Sequence, residues 1–202
     1  MIEEKIRFRS QGLSIEGLVC TQNGEKGAVI THPHPLYGGT MYNQVVEVLA
    51  KVYQGKGFST LRFNFRGVGQ SEGSYDQGNG ESEDVRSALL FFHDMGKGDC
   101  DLAGYSFGAW VNAKTKGIET LCKRLIMVSP PAGLLDFSSL FPNVKIEAIL
   151  TGSEDDIAPV DRIKSLTSIW NSGIHCEVIQ GADHFYSGRT EILESALSRL
   201  IT

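Results

Sequence analysis

The chain has 202 residues, of which 41% are hydrophobic and 21% are charged, and its formal net charge at pH 7 is −5. This length predicts one domain, residues 1–202, and the composition is typical of a globular protein without repeats. A nucleic-acid binder needs a basic face, and neither the net charge nor any cluster of Lys and Arg supplies one.

The N-terminal segment and the cysteines indicate where the protein acts. Met1–Lys5 is charged where a signal peptide needs an apolar core, and no segment approaches the ~18 apolar residues of a membrane span. The four cysteines are widely spaced and form no C-x-x-C pair, so they indicate neither a zinc site nor a redox motif. We expect a cytoplasmic protein that does not bind membranes, with reduced and mostly buried thiols. The cysteines are Cys20, Cys100, Cys122 and Cys176.

Short β-branched or apolar runs alternate with longer segments of helical period along the chain. This alternation predicts an α/β fold with a mostly parallel sheet of about eight strands and helices on both faces. The first two runs are too close together for a helix between them, so we expect an antiparallel hairpin at one edge. The predicted strands are Lys5–Arg9, Leu13–Cys20, Ala28–His32, Ser59–Phe65, Cys100–Tyr105, Arg124–Ser129, Ile146–Thr151 and Cys176–Ile179.

Five helices are predicted between these strands. Three of them show apolar residues on one face at helical spacing, over Val45–Tyr53, Val85–Phe92 and Ile192–Leu200. Two more are expected because each follows a strand, one directly after Ser106 and one over Val160–Trp170. All of these apolar faces are interpreted as core packing.

The pattern G-x-S-x-G occurs twice, at Gly69–Gly73 and at Gly104–Gly108. A nucleophilic serine of this kind sits on a tight turn between a strand and a helix, where a strained backbone exposes its hydroxyl. Ser106 follows an apolar strand and precedes the plausible helix Ala109–Lys114, whose N-terminus would stabilise negative charge. Ser71 is followed by a glycine-rich loop. We therefore predict Ser106 as the nucleophile.

A serine nucleophile needs a histidine to accept its proton and a carboxylate to orient that histidine, in the chain order Ser, acid, His. Only His175 and His184 follow Ser106. His175 opens a strand, whereas His184 lies in the loop past the last strand, where catalytic groups of α/β sheets gather. Three adjacent acids at 154–156 follow the preceding strand, and the residues alone do not choose among them.

These motifs resemble those of the α/β-hydrolase superfamily over nearly the whole chain, especially its small, capless carboxylesterase-like and dienelactone-hydrolase-like members. Their acid loop reads G-x-x-D-x-x-x-P, which places the acid on Asp155, with Asp156 as the alternative. The segment Gly181–Phe185 is similar to the family's histidine loop. Arg62–Ser71 resembles the turn after its fourth strand, which identifies Ser71 as structural.

A cap domain often follows the sixth strand in enzymes of this architecture. Here the corresponding segment, Pro130–Pro142, has only 13 residues. A cap domain cannot fit in this length, so we expect an open active site.

The resemblance also implies an oxyanion hole made by two backbone N–H groups. One belongs to Phe107, the residue after the nucleophile, and the other to the loop His32–Gly39, whose two prolines have no N–H. Leu36 fits best by similarity to dienelactone hydrolases, while His34 and Tyr37 stay open.

Together, the motifs and the resemblance imply a serine hydrolase that cleaves a carboxylic ester or a related acyl bond through an acyl-enzyme intermediate. Ser106, His184 and Asp155 would form the catalytic triad, the substrate would be a small acyl compound, and no cofactor or metal is expected. The sequence does not identify the acyl group, the leaving group or the oligomeric state.

Two other functions have weaker signals in the sequence. His32 and His34 form an H-x-H pair, which occurs in zinc-dependent hydrolases, but Leu36 and Tyr37 occupy the places of the further ligands. The second alternative is a hydrolase-like protein that binds without turnover, and such proteins usually have a damaged triad.

Overall fold

The central feature is a sheet of eight strands, counted over residues 1–137, 140, 145–170 and 173–202, which the computed structural model describes. The strands are β1 (Glu4–Ser10), β2 (Leu13–Cys20), β3 (Lys26–Thr31), β4 (Ser59–Phe63), β5 (Asp99–Tyr105), β6 (Arg124–Val128), β7 (Lys145–Gly152) and β8 (His175–Ile179). Their order is β1-β2-β4-β3-β5-β6-β7-β8. Neighbours are parallel, except that β2 is antiparallel to β1 and to β4. The predicted sheet and its N-terminal hairpin are confirmed.

Helices cover both faces of this sheet, as the alternating pattern predicts. Within the described residues, the first and last helices pack on one face and the other three on the opposite face, each against its own apolar cluster. On β5, for example, Leu102 belongs to one cluster, and Ala103 and Tyr105 to the other. The helices are α1 (Gln44–Gly55), α2 (Asn79–Asp94), α3 (Phe107–Lys114), α4 (Val160–Trp170) and α5 (Thr190–Leu200).

The ends of β3 and β4 differ slightly from the predicted bounds. β3 ends at Thr31 and β4 at Phe63, whereas the apolar runs predicted strands to His32 and Phe65. The N–H of Asn64 still donates to the carbonyl of Glu16 on β2 at 3.0 Å, whereas the N–H of Phe65 donates to Nε2 of the buried His32 at 3.0 Å. A side chain therefore binds the backbone two residues past the end of β4.

The connection between β6 and β7 lies where a cap domain would be inserted. Part of the predicted segment Pro130–Pro142, namely 138–139 and 141–142, lies outside the described residues. The described part contains a turn in which the N–H of Leu135 donates to the carbonyl of Pro131 at 2.9 Å.

The thiols are free, as predicted. Cys20, Cys100 and Cys122 are buried, and Cys176 is partly buried. None of the helices in the described part of the chain combines the length and apolar character that crossing a membrane requires.

A buried ion pair fixes the loop 64–78, which connects β4 to α2. Arg66 Nη2 lies 2.9 Å from Oδ1 of Asp84, and the backbone N–H of Arg66 donates to Oδ2 at 3.0 Å. Asp84 is completely buried on α2, so each partner depends on the other for neutralisation. This pair holds the loop against the helix that follows it.

Replacing Asp84 by Ala should lower the free energy of unfolding by about 3–5 kcal/mol, because it removes the carboxylate that pairs with the buried Arg66 guanidinium. Urea denaturation monitored by circular dichroism measures the change. The matched control is Asp94→Ala, at the exposed end of the same helix, which should shift stability by less than about 0.5 kcal/mol. Similar losses in both variants would contradict this role for the pair.

Candidate active site

Ser106 lies on a strained turn between β5 and α3. Its backbone has φ 54° and ψ −119°, in a region that residues other than glycine rarely adopt. Its N–H donates to the carbonyl of Val128 on β6 at 2.9 Å, which ties the turn to the adjacent strand. The strand, turn and helix predicted around Ser106 are all present.

The two glycines of the pentapeptide allow this turn to pack against the end of β3. A Cβ atom on Gly104 would lie 2.7 Å from Oγ1 of Thr31, the last residue of β3, and 2.7 Å from the backbone nitrogen of Ala109. A Cβ atom on Gly108 would lie 2.7 Å from the carbonyl oxygen of His32. These distances are too short for real contacts, so neither position accepts a side chain without moving the backbone.

Ser106, His184 and Asp155 form a hydrogen-bonded chain. His184 Nε2 lies 3.0 Å from Oγ of Ser106, and His184 Nδ1 lies 2.9 Å from each carboxylate oxygen of Asp155. A carboxylate can only accept, so Nδ1 carries the proton and Nε2 can accept the serine proton. Ser106, Asp155 and His184 are 7%, 3% and 6% exposed, respectively.

The structure distinguishes among the three adjacent acids that the residues alone left equivalent. Asp155 is buried against His184, whereas Glu154 and Asp156 are exposed. The acid loop can lie close to the histidine loop because Gly152, where the acid loop begins, has no side chain. A Cβ atom on Gly152 would lie 2.1 Å from the carbonyl oxygen of Ala182.

The Asp155 carboxylate accepts hydrogen bonds from several donors. Its Oδ1 accepts from the N–H groups of Ile157 at 3.0 Å and Ala158 at 2.7 Å. Burial by itself raises the pKa of Asp155, but hydrogen bonds from His184, Ser129 and a backbone N–H outweigh it and hold the pKa below its ordinary value. The carboxylate is therefore charged at neutral pH.

Three buried residues that sequence reasoning missed support this chain. The hydroxyl of Tyr105 donates to the carbonyl of His184 at 2.8 Å, and its ring packs against the imidazole. Ser129, which hydrogen-bonds Asp155, has its Oγ 2.9 Å from the hydroxyl of Tyr186. Both Ser129 and Tyr186 have positive φ, 45° and 55°. None of the three stands in a motif position that specifies its residue type.

The loop 32–39 lies beside the N-terminus of α3. Phe107 supplies the first N–H of that helix, which has no acceptor within the helix. The N–H of Leu36 donates to His34 Nδ1 at 3.2 Å, and the N–H of Tyr37 donates to the carbonyl of His34 at 3.1 Å. Over the described residues, the N–H of His34 itself has no acceptor. Among the described residues, the N–H of the preferred candidate Leu36 is thus engaged, whereas the N–H of His34 is free to donate.

The imidazole of His32 is enclosed in the protein. Its Nδ1 lies 2.6 Å from the carbonyl of Pro33, and its Nε2 accepts from the N–H of Phe65. Burial lowers the pKa of His32 to about 4, so the ring is neutral at physiological pH. Both nitrogens are used in holding the loop against the end of β4.

Ser71 and His175, the alternative serine and histidine in the sequence, have other partners. Ser71 Oγ donates to the carbonyl of Asn64 at 2.7 Å and accepts from the N–H of Glu16 at 3.1 Å. His175 is exposed on β8, with its Nε2 3.6 Å from a carboxylate oxygen of Glu177. Neither belongs to the hydrogen-bonded chain.

No protein-family model matches the chain. It is 35% identical over 181 residues to an uncharacterised protein of Rickettsia prowazekii, covering 85% of this chain and 76% of that protein. A solved α/β serine hydrolase homologue from Coxiella burnetii is 36% identical, with a TM-score of 0.91 over 100% of this chain and 99% of that one. The chain belongs to the α/β-hydrolase superfamily. A second superfamily structure, a serine hydrolase without a lid from Xanthomonas campestris, is 27% identical, with a TM-score of 0.89 over 98% and 93% of the two chains.

In this α/β hydrolase, replacing Gly108 by Ala should lower the free energy of unfolding by about 1–3 kcal/mol. The new methyl group would collide with the backbone at the end of β3, which outweighs the usual preference of Ala over Gly in a helix. Thermal and urea unfolding measure the loss. Gly98→Ala is the matched control, because a Cβ atom there meets nothing within 4 Å. An unchanged Gly108→Ala protein would show that the turn tolerates a side chain.

Proposed function

We propose that this hydrolase cleaves carboxylic esters, or closely related acyl bonds, through an acyl-enzyme formed on Ser106. The observation that carries the proposal is the continuous hydrogen-bonded chain from Asp155 through His184 to Ser106. A serine hydroxyl becomes a useful nucleophile when a base accepts its proton, and this chain supplies that base in the required tautomer.

The reaction follows from the positions of the protons. As Ser106 Oγ attacks the acyl carbonyl, its proton passes to His184 Nε2, and Asp155 stabilises the resulting imidazolium. His184 then gives the proton to the leaving alcohol as the carbon–oxygen bond breaks. In the second half, His184 takes a proton from water, which attacks the acyl-enzyme, and returns it to Ser106 as the acid is released.

For the oxyanion we propose the N–H groups of Phe107 and His34. Phe107 is the donor that the resemblance implies. His34 replaces Leu36 in this role because the N–H of Leu36 is already bonded to an imidazole nitrogen, whereas that of His34 has no acceptor in the described structure. Two donors without competing partners can bind developing negative charge without reorganisation.

The surroundings favour small esters with apolar groups. Leu36, Tyr37 and Phe185 are 67%, 87% and 59% exposed, and they stand in the loops that carry His34 and His184. We also propose a cytoplasmic location, which the free thiols support.

The alternative functions have less support. The four ring nitrogens of His32 and His34 each contact a protein partner, so a metal would have to displace hydrogen bonds that hold the loop. A binding protein without turnover would have no need for the alignment of Ser106, His184 and Asp155.

Ser106→Ala should lower kcat for short p-nitrophenyl esters by about 10⁴–10⁶-fold, because no other group replaces the nucleophile. Spectrophotometric assays of nitrophenolate release measure the effect. Ser71→Ala is the control from the second G-x-S-x-G match and should keep the wild-type rate, although it removes two structural hydrogen bonds. Wild-type turnover by Ser106→Ala would end the proposal.

Asp155→Asn should lower kcat by about 10³–10⁴-fold, because an amide can donate to His184 Nδ1 and stabilise the wrong tautomer. The control is Asp156→Asn, because Asp156 is exposed and its substitution makes the same change in charge. The two variants are compared with the same ester over a range of pH. Loss of activity on changing Asp156 rather than Asp155 would contradict the assignment of the acid.

A further inference from the structure

A second hydrogen-bonded pair, His34 and Tyr75, stands beside the candidate triad. The Nε2 atom of His34 lies 3.2 Å from the hydroxyl of Tyr75. Both rings pack against Phe107, with ring centroids 4.7 and 5.9 Å away, and Phe107 directly follows Ser106. Both side chains are only partly buried. The pair therefore borders the site where the loop 32–39 meets the N-terminus of α3.

The hydrogen bonds around His34 fix the direction of this contact. The N–H of Leu36 donates to Nδ1, so Nδ1 carries no proton. Burial lowers the pKa of His34, which keeps its imidazole neutral at physiological pH. The single ring proton is therefore on Nε2, and the imidazole donates it to the hydroxyl oxygen of Tyr75.

The phenol proton of Tyr75 is left without a partner. The oxygen accepts from His34, and the described residues offer no acceptor for the hydrogen that Tyr75 itself carries. Burial and the nearby Glu81 carboxylate raise the pKa of Tyr75, so the hydroxyl keeps its proton. His34 thus orients a donor that has no acceptor among the described residues.

We propose that Tyr75 determines specificity by donating this hydrogen bond to a second oxygen of the substrate, separate from the scissile carbonyl. The rings beside it supply apolar surface, and Tyr37 packs on His34 with centroids 4.9 Å apart. The substrate class is accordingly an ester with an apolar body and one additional ketone, ether or hydroxyl oxygen. This inference rests on the proposed esterase function and names the substrate of that same site.

The test uses pairs of esters that differ by one acceptor oxygen. In one series a ketone oxygen is moved along the acyl chain, beginning with ethyl 4-oxopentanoate against ethyl pentanoate. In the other, an ether oxygen is moved along the alcohol. For at least one pair, wild-type kcat/KM should favour the oxygen-bearing ester by about 3- to 10-fold, as a hydrogen bond of ordinary strength implies. Tyr75→Phe should bring that ratio to one.

The control is Tyr42→Phe, which also removes one phenol hydroxyl while keeping the ring, from a residue that is 51% exposed. It should keep the wild-type ratio. Circular dichroism and labelling of Ser106 by a fluorophosphonate show whether Tyr75→Phe is folded and active.

Two results would overturn the inference: no pair is discriminated by the wild type, or Tyr75→Phe preserves the discrimination. In both cases Ser106-dependent turnover of the parent esters would leave the proposed function standing. Absence of any Ser106-dependent ester turnover would overturn both proposals together.

Discussion

The close packing of β3 against the turn that carries Ser106 is the constraint on which the site depends. Since Gly104 and Gly108 have no side chains, the turn can approach the end of β3 at distances that a Cβ atom would prevent. This approach holds Ser106 at positive φ with its hydroxyl 3.0 Å from His184. It also brings the first N–H of α3 next to the loop that contains His34, so one steric constraint places the candidate nucleophile and the proposed oxyanion donors together.

Hydrogen bonds from neighbouring residues, rather than contact with water, stabilise the negative charge of Asp155. Asp155 is almost fully buried, yet its hydrogen bonds keep its pKa below the ordinary value. Ser129 reaches it from the end of β6, and Tyr186 holds Ser129 from beyond β8. Tyr105, which directly precedes Ser106, fixes the backbone of His184. Four strand ends therefore contribute to one carboxylate–imidazole pair, which limits the reorganisation that catalysis would require.

The sheet and helices could be predicted because apolar periodicity depends on local sequence, and each strand end lies within two residues of its expected position. The strand and helix around Ser106 selected the serine, and chain order with loop position selected the histidine. The residues alone left three adjacent acids equivalent, and only the resemblance to α/β hydrolases pointed to Asp155, which the fold buries. The residues left the second proposed oxyanion donor open, because which N–H of the loop is free depends on the side chain of His34, which engages the N–H of Leu36. Tyr105 and Ser129 escaped prediction because their partners are distant in sequence and no residue pattern marks them.

The most direct test of the account is covalent labelling of the folded protein with a fluorophosphonate, followed by intact mass spectrometry and peptide mapping. A triad that activates Ser106 predicts one label per chain, on the peptide that contains residue 106. It also predicts that His184→Ala will lose the labelling while remaining folded. A wild-type protein that stays unlabelled, or that carries the label on another serine, would contradict the central claim.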